Sequence, residues 1–574
     1  MDQQLQNAFI LGLERVVAWS DLLDDINVFP VADGDTGRNL LASLTPLRYL
    51  ENDREDTVYK LMLAARGNSG NIATRFFSGL LTADSFEGLA GAARLGRDKA
   101  RLAVHNPRPG TMLTVFDSLV SFLEQETFDN RDAYILKMLS HLEETVRATP
   151  SHLPVLARAG VVDSGALGMF VFLESFFKSL INQVDDFIPI TTRFKGLLEI
   201  SADFQEGREN GYCVDTVVHL DPNRRNGTLD FIHKLGDQAV VIPHNDYLKV
   251  HLHTNDREGF RQRMRSLGEI VQWSDDDIDL QVESRKSPGK RRSLHIMTDA
   301  AGSLTREDAR EMGFTLLNSY IVTKKCSLPE TLFSPEELYQ MMRAGIRVST
   351  SQASDFERVQ CYQRVLDQYD RVLYLSVGSV FTGNYDLADR WRQVNDSDNR
   401  FTVIDTGAAS GRLAVIVLAT VRFAAETDDP EAIVAFARSA VKACEEYVFL
   451  DKLQYLAAGG RLSRTSAFFG DTLHIKPIVS PQPEGAVKVG TARNQKGQIA
   501  FALKKLEATL QKEAGALIML EYSDNKPWVE AVMKKEISDR YPRAEILLQP
   551  FSLTSGVHMG PGTWALAFLP DRPA

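Results

Sequence analysis

The sequence predicts a multidomain protein with three folded parts. These are an all-helical segment over residues 1–190, a small α/β domain over 191–285 and a larger α/β domain over 294–574. Three observations lead there. At 574 residues the chain is too long for one core, and roughly two to four domains are expected. Its hydrophobic spacing changes from three- and four-residue steps to alternation, and then to short apolar runs separated by helical stretches. Residues 281–293, Gln-Val-Glu-Ser-Arg-Lys-Ser-Pro-Gly-Lys-Arg-Arg-Ser, are polar, basic and interrupted by Pro-Gly, a linker composition, and the tether proper is placed at 286–293.

Composition narrows the function classes. The chain is 44% hydrophobic and 25% charged, with a net charge of −11. A nucleic-acid binder would carry a basic stripe, so none is expected as partner. Cys213, Cys326, Cys361 and Cys444 lie far apart, which fits a reducing cytosol better than a disulfide framework and predicts a cytoplasmic protein. The start, Met-Asp-Gln-Gln-Leu, lacks the basic and apolar regions of a signal peptide. No run of about 18 apolar residues predicts a membrane span. Lipid chemistry would have to take place in a soluble pocket.

In the first segment, helical spacing is clear over Leu5 to Leu23, Val58 to Leu63, Met112 to Leu123 and Ala133 to Val146. Four small-residue loops interrupt it. The first is Asn27-Val-Phe-Pro-Val-Ala-Asp33-Gly34-Asp35-Thr36-Gly37-Arg38-Asn39. Two carboxylates around a glycine repel unless a cation sits between them, and Mg²⁺ favours carboxylates plus substrate phosphates. Gly34 and Gly37 let backbone N–H groups approach an anion, and the helix start at Asn39 favours phosphate. An isolated Asp-Gly-Asp is also an ordinary polar turn. The other loops are Ala65-Arg66-Gly67-Asn68-Ser69-Gly70-Asn71, Gly110-Thr111-Met112-Leu113-Thr114 and Val162-Asp163-Ser164-Gly165-Ala166.

The stretches NVFPVADGDTGRNL, ARGNSG, PGTMLTV and GVVDSGALG resemble, in order and spacing, the DhaL-like nucleotide-binding domain of dihydroxyacetone kinases. The closer match is the version found in bacterial fatty-acid kinases. The resemblance implies an eight-helix barrel that binds ATP through Mg²⁺. Carried over by motif, Asp33 and Asp35 become metal ligands, with Asn27 as a third whose spacing departs from the sugar kinases. Asn39, Asn68, Ser69 and Gly70 would hold phosphate, Thr111 and Met112 would lie near the base, and Asp163 and Gly165 would close the site. Departures are Ala32 for proline, Arg38 for a small polar residue, and His105-Asn106-Pro107-Arg108 before the third loop. Arg38 is either a phosphate contact or a solvated helix residue.

In 191–285, strand alternation marks Cys213 to Leu220, Ala239 to Pro243 and Leu248 to Thr254, with helical Thr228 to Leu235 between. His251 and His253 are two apart on a strand and share a face. With Cys213 they form a partial Zn²⁺ site with an open position. The alternative is one free cysteine and two edge-strand histidines. NGYCVDTVV and LKVHLHTND resemble the middle domain of the fatty-acid kinases, where the matching residues form a metal site tied to phosphoryl transfer. The resemblance thus makes Cys213, His251 and His253 both metal ligands and catalytic residues. Gly236-Asp237-Gln238 departs from the family's Gly-Asp-Ser.

In 294–574, apolar runs at Leu294, Arg371 to Ser376, Phe401 to Asp405 and Ala516 to Leu520 alternate with helices such as Phe356 to Tyr369 and Asp429 to Ala443. That predicts a parallel sheet with ligands beyond the strands' C-terminal ends. Loops carrying Thr298-Asp299, Thr350-Ser351-Gln352 and Ser376 to Ser379 are placed there. Gly459-Gly460-Arg461 and His558-Met-Gly-Pro-Gly add a cation and a titratable donor. MTDAAGSL, STSQASDF, GSVFTGNYDLA, VIDTGAASG, YLAAGGRLSR, HIKPIV and HMGPG resemble the DegV family of fatty-acid-binding proteins over nearly all of the segment. The resemblance places a fatty-acid carboxylate against Thr350, Ser379 and His558, with Arg461 close by. Departures are Gly378 and Thr382 for two family serines.

Together the resemblances imply a kinase that phosphorylates a fatty acid held in its own DegV-like domain. They imply ATP, Mg²⁺ and Zn²⁺ as cofactors, a homodimer, and a downstream acyltransferase of phospholipid synthesis as partner. The alternatives are a lipid carrier or sensor with a regulatory nucleotide-binding domain, and a glycerone (dihydroxyacetone) kinase-like activity.

Overall fold

Leu5, Phe9, Leu13 and Val16 recur at helical steps and are all buried, winding Gln3–Asp25 into α1. Asp2 caps its start by accepting the Leu5 N–H at 2.7 Å. In the computed structural model, residues 1–50, 53–125, 130–204, 211–221, 239–278, 293–324, 326–452, 454–458, 475–512 and 514–570 are described. The chain divides into two compact units, Met1–Lys286 and Ser287–Ala574.

Seven more helices of nine residues or longer follow α1 among the described residues of the first segment. They are α2 (Thr36–Leu44), α3 (Arg54–Ala64), α4 (Gly67–Leu80), α5 (Leu89–Ala103), α6 (Met112–Gln125), α7 (Arg131–Arg147) and α8 (Ser164–Ser179). α1 packs on α2 and α8, α2 on α4, α4 on α5, α5 on α6, and α6 on α7 and α8, so the neighbours close into a ring. α8 is buried along its whole length. Its Glu174 is paired with Arg15 of α1 and, at 2.9 Å, with Arg193. Removing one partner of such a buried pair costs about 3–5 kcal/mol.

A four-stranded antiparallel sheet completes the first unit. Its strands are β1 (Tyr212–Leu220), β2 (Val240–His244), β3 (Tyr247–Thr254) and β4 (Gly268–Asp277), in the order β2-β3-β1-β4. Alternation sorts the side chains. Val214, Val218, Val250 and Leu252 pack against Phe260 and Met264 of the helix Arg257–Leu267. Val217, Val240 and Ile242 point the other way and pack on Met62 of α3 and Ala103 of α5. Each such buried aliphatic contributes about 1.5–3 kcal/mol. β4 is absent from the sequence-based strand set because its Trp-Ser-Asp-Asp-Asp end reads as a solvated run. Helical Thr228 to Leu235, Gly236-Asp237-Gln238 and the 286–293 tether lie outside the described residues, except Ser293.

The second unit is not built on one parallel sheet, and that expectation is corrected. β5 (His295–Asp299), β6 (Thr315–Leu317), β10 (Val372–Ser376) and β11 (Phe401–Asp405) form a parallel sheet in the order β11-β10-β5-β6. β7 (Ser319–Val322), β8 (Ser327–Pro329) and β9 (Ser349–Gln352) form a small antiparallel one. The remaining strands are β12 (Glu445–Phe449), β13 (Lys476–Gln482), β14 (Gly485–Ala492), β15 (Ala516–Tyr522), β16 (Glu545–Pro550) and β17 (Trp564–Pro570). They form a third sheet in which only β15 and β16 are parallel. The Ala516 run therefore lies outside the parallel ladder. Residues 483 and 484 alone join β13 to β14, and so short a connection permits only an antiparallel pair. Leu413, Val417 and Val421 of the helix Ser410–Glu426 fill the core between the parallel and the mixed sheet.

Candidate functional site

α1 stops at Asp25, and the loop that follows folds back on its own acids. Asn27, Asp33 and Thr36 are buried and Asp35 half-buried. Asn27 Nδ2 donates to Asp33 Oδ1 at 2.6 Å, while Asn27 Oδ1 faces Ser164 Oγ at 3.4 Å. In this amide orientation Asn27 steadies an aspartate. Burial pushes the Asp33 carboxyl well above the usual range, and the neighbouring Asp35 pushes it further. That is the electrostatic state a divalent cation relieves.

Two neighbours of the pair differ from expectation. Asp24 Oδ1 takes the N–H groups of Gly37 at 2.7 Å and Arg38 at 3.1 Å, so those donors cap α2 against a carboxylate and are not offered to an anion. Arg38 is half-buried and bonded within the turn. Its Nη2 donates to Gly34 O at 3.1 Å and its Nε lies 3.4 Å from Asp24 Oδ2, clamping the turn.

The middle sheet presents its polar face to this loop. Val31 packs with Cys213 and Ile278. Cys213 pairs with His253, and Asp215 with His251, in the β1/β3 register, which puts all four on one face. One ligand atom each from Cys213, His251 and His253 lies within 4.8 Å of the others. Cys213 Sγ is 3.9 Å from His251 Nδ1. His251 Nε2 is buried with no hydrogen-bond partner among the described residues, so the donor set fits a thiolate- and imidazole-loving ion such as Zn²⁺. Burial raises the Cys213 thiol, and Asp215, Asp35, Asp33 and Asp276 raise it further. The predicted Cys/His cluster and the Asp33/Asp35 pair thus belong to one electrostatic neighbourhood.

Asp215 and Asp276 are the residues that sequence reasoning missed. Asp276, exposed on β4, is the other register partner of Cys213. Asp215 is buried and would be pushed up by that burial, but Lys249 and His251 outweigh it and hold the carboxyl below its ordinary range. The same-face rule that links His251 to His253 also links Cys213 to Asp215, so the signal was present.

The other small-residue loops gather around the first. Gly67 has φ +58, and a Cβ there would sit 2.0 Å from Asn39 Nδ2. A Cβ on Gly70 would sit 2.0 Å from Ser43 Oγ. Asn68 is half-buried at the start of α4, and beside it Ser69 Oγ is buried without a hydrogen-bond partner among the described residues. Such an orphaned hydroxyl at a helix start suits a phosphate oxygen. A Cβ on Gly165 would meet Met112 Cε at 2.8 Å, so the third and fourth loops touch. Thr111 Oγ1 donates to Arg108 O at 3.0 Å. Asp163 caps α8, accepting the Ala166 N–H at 2.7 Å, and burial pushes its carboxyl up to about 7. Ser164 Oγ donates to Thr36 Oγ1 at 3.1 Å and ties this loop to the first.

In the second unit, Thr350 Oγ1 and His558 Nε2 are 3.2 Å apart, joining β9 to the helix Leu553–Met559. Thr350 was expected in a loop beyond a parallel strand. It stands instead within antiparallel β9, opposite Ile321. Ser379 follows β10 and turns to Asp405, its Oγ donating at 2.5 Å and its N–H at 3.1 Å. Arg461 lies outside the described residues. Thr298 and Asp299 end β5 fully buried, and Asp299, pushed up to about 6 by burial, accepts from Tyr374, Asn384 and the Val377 N–H. They organise the loops without facing outward. Among the described residues no helix is long and apolar enough to cross a membrane.

Known proteins resemble the chain in three consecutive stretches. Family models match a DAK2 domain over residues 30–178, a FakA-like middle domain of the fatty acid kinase type over 209–285 and the DegV family of uncharacterised proteins over 293–571. Protein YloV of Bacillus subtilis is 30% identical over 295 residues, covering 46% of this chain and 52% of that one. An uncharacterized protein of Staphylococcus saprophyticus is 28% identical over 288 residues, covering 46% and 52%. The chain spans about half the length of the curated relatives it matches. Among solved structures, a DegV family protein from Thermus thermophilus, described by its fatty acid binding, is 24% identical with a TM-score of 0.45, over 48% of this chain and 99% of that one. DegV of Bacillus subtilis, described as a fatty acid binding protein, is 20% identical with a TM-score of 0.45, over 48% and 99%. The chain joins, in one polypeptide, a DAK2 domain, a FakA-like fatty acid kinase middle domain and a DegV-family domain.

Proposed function

We propose that the chain is an ATP-dependent fatty acid kinase-like phosphotransferase that phosphorylates a fatty-acid carboxylate held in its own DegV-family domain. The observation that carries this reading is the packing of the Cys/His cluster against the aspartate loop. Val31 of that loop packs with Cys213, which clusters with His251 and His253, and Asp33 and Asp35 both raise the Cys213 thiol.

Asp33 and Asp35 would hold Mg²⁺, which when bound neutralises charge on the phosphates. Asn39, Asn68, Ser69 and Gly70 line the phosphate side, and Thr111, Met112, Asp163 and Gly165 the rest of the nucleotide. Cys213, His251 and His253 would hold Zn²⁺. Thr350, Ser379 and His558 grip the carboxylate and orient one oxygen, and Arg461 is the substrate-side cation that the DegV resemblance implies. That oxygen forms a bond to the γ-phosphorus as the bond from phosphorus to the ADP oxygen breaks. The products are acyl phosphate and ADP, and an ionised carboxylate needs no base. The acyl phosphate is reactive and suits an acyltransferase of phospholipid synthesis as its consumer. A cytoplasmic homodimer completes the reading, which light scattering on the purified protein tests.

Mass spectrometry of lipid extracted from the purified protein, followed by ADP release with and without that lipid, tests the activity. A bound free fatty acid that stimulates ADP release and yields acyl phosphate is expected. A bound fatty acid without stimulated turnover would leave a lipid carrier with a regulatory nucleotide domain. Turnover on dihydroxyacetone alone would favour the glycerone kinase-like reading.

A further inference from the structure

Asp215 touches both parts of the proposed phosphoryl-transfer site. On β1 it shares a face with Cys213, and its register partner on β3 is His251. Its Oδ2 lies 3.3 Å from His251 Nδ1 and accepts the Gly67 N–H at 2.9 Å. Its Oδ1 accepts Asn71 Nδ2 at 2.9 Å and lies 3.3 Å from Lys249 Nζ. Lys249 in turn donates to Ala65 O at 2.7 Å. One buried carboxylate is thus shared between the Cys/His cluster and the loop 65–71.

His251 Nδ1 lies between Asp215 Oδ2, at 3.3 Å, and Cys213 Sγ, at 3.9 Å, and its Nε2 is buried with no hydrogen-bond partner among the described residues. A carboxylate beside a metal-binding imidazole commonly orients the ring.

We infer that Asp215 is a positioning residue that couples occupancy of the Cys213–His251–His253 cluster to the nucleotide affinity of the loop 65–71. The inference rests on the proposed reading of both sites. A cation held by all three ligands fixes the His251 ring, and the fixed ring holds Asp215, 3.3 Å from its Nδ1, in place against the Gly67 N–H. Without the cation that constraint on the ring is lost, and with it the one on Asp215, which loosens its hold on Gly67. Gly67 is the first residue of α4, so its displacement carries Ser69 and Gly70 with it. Coupling between two binding equilibria is reciprocal, so bound nucleotide must tighten the metal by the same factor.

The test uses the full-length protein stripped of metal. A non-hydrolysable ATP analogue with excess Mg²⁺ is titrated calorimetrically with and without one equivalent of Zn²⁺. In parallel, Co²⁺ replaces Zn²⁺ and its thiolate absorption band is followed as nucleotide is added. Zn²⁺ is expected to tighten the analogue roughly tenfold, within the usual range for coupled sites, and the analogue to shift the Co²⁺ band. Asp215→Asn keeps an acceptor for Gly67 but loses the charge that holds the His251 ring. It should bind both ligands, with the Zn²⁺ effect reduced to about one and the Co²⁺ band unresponsive to nucleotide. If both ligands bind the wild-type protein and neither alters the other, the coupling is overturned while the two sites stand. If Asp215→Asn retains the wild-type ratio, Asp215 is not the coupler. If the analogue does not bind at all, the nucleotide site itself is wrong. The wild-type comparison decides the coupling even if the variant fails to fold.

Discussion

Glu446 on β12 and Glu521 on β15 lie fully buried on either side of β17, opposite Ala567 and Ala565. Glu446 Oε2 accepts the Arg412 N–H at 3.1 Å, and Glu521 Oε1 accepts from Ser410 Oγ at 3.2 Å. Burial pushes both carboxyls up, and Glu521 pushes Glu446 further, so the folded pair retains a proton that the unfolded chain releases. An acid raised in the folded state stabilises fully below its unfolded value, here 4.5, and that stability is lost as pH rises through the folded value. Glu446→Gln keeps a neutral partner in place. It should flatten the pH dependence above 4.5 and raise the melting temperature of the C-terminal unit at about pH 8 by roughly 2–4 °C per kcal/mol recovered. Calorimetric scans of both proteins across that pH range check this.

Asp35→Ala should abolish the metal site while leaving the second unit untouched. ATP turnover is expected to fall on the order of a hundredfold or more, the scale for losing a charge-stabilising group. Fatty-acid binding, measured by displacement of a fluorescent fatty acid, should be unchanged. Equal loss of both ligands would contradict the division of labour.

Ser379→Ala removes one proposed carboxylate contact and leaves Asp405 without its 2.5 Å donor. Lipid affinity should fall about tenfold, within the range for a hydrogen bond to a charged group. Nucleotide affinity should not move. Titrating both ligands on one preparation separates these outcomes.

Gly67→Ala tests the loop 65–71, proposed to hold phosphate, through its backbone. With φ +58 and a Cβ landing 2.0 Å from Asn39 Nδ2, the variant must strain its own backbone and displace Asn39. The left-handed conformation alone costs about 1–2 kcal/mol. Lower melting of the N-terminal unit and weaker nucleotide binding are expected, with lipid capture intact.

Legibility in the sequence followed the range of each interaction. Asp33, Asp35, His251 and His253 were readable because their pairing is local, a glycine turn or a two-residue strand step. Ser164 lay inside a motif, yet its bond to Thr36 spans 128 residues and has no local signature. Asp215 obeyed the same two-residue rule from Cys213 but looked like an ordinary strand acid. Its importance comes from Gly67 and Asn71, which only the folded chain brings close. The mixed sheet of the second unit escaped for a related reason. An apolar run such as Ala516 to Leu520 marks a buried strand but not the direction of its neighbours, and β17, which pairs it antiparallel, arrives at the end of the chain.

The contacts from the middle sheet to α4 also bear on where this polypeptide can be cut. A fragment ending near residue 204 would retain every loop that resembles a nucleotide binder. It would nonetheless strip the acceptor from the Gly67 N–H and the donor from the Ala65 carbonyl, and bare Met62 and Ala103 to water. The helical ring is therefore not a self-sufficient cassette: graft it elsewhere without residues 211–278, and the wall that shapes the loop 65–71 stays behind.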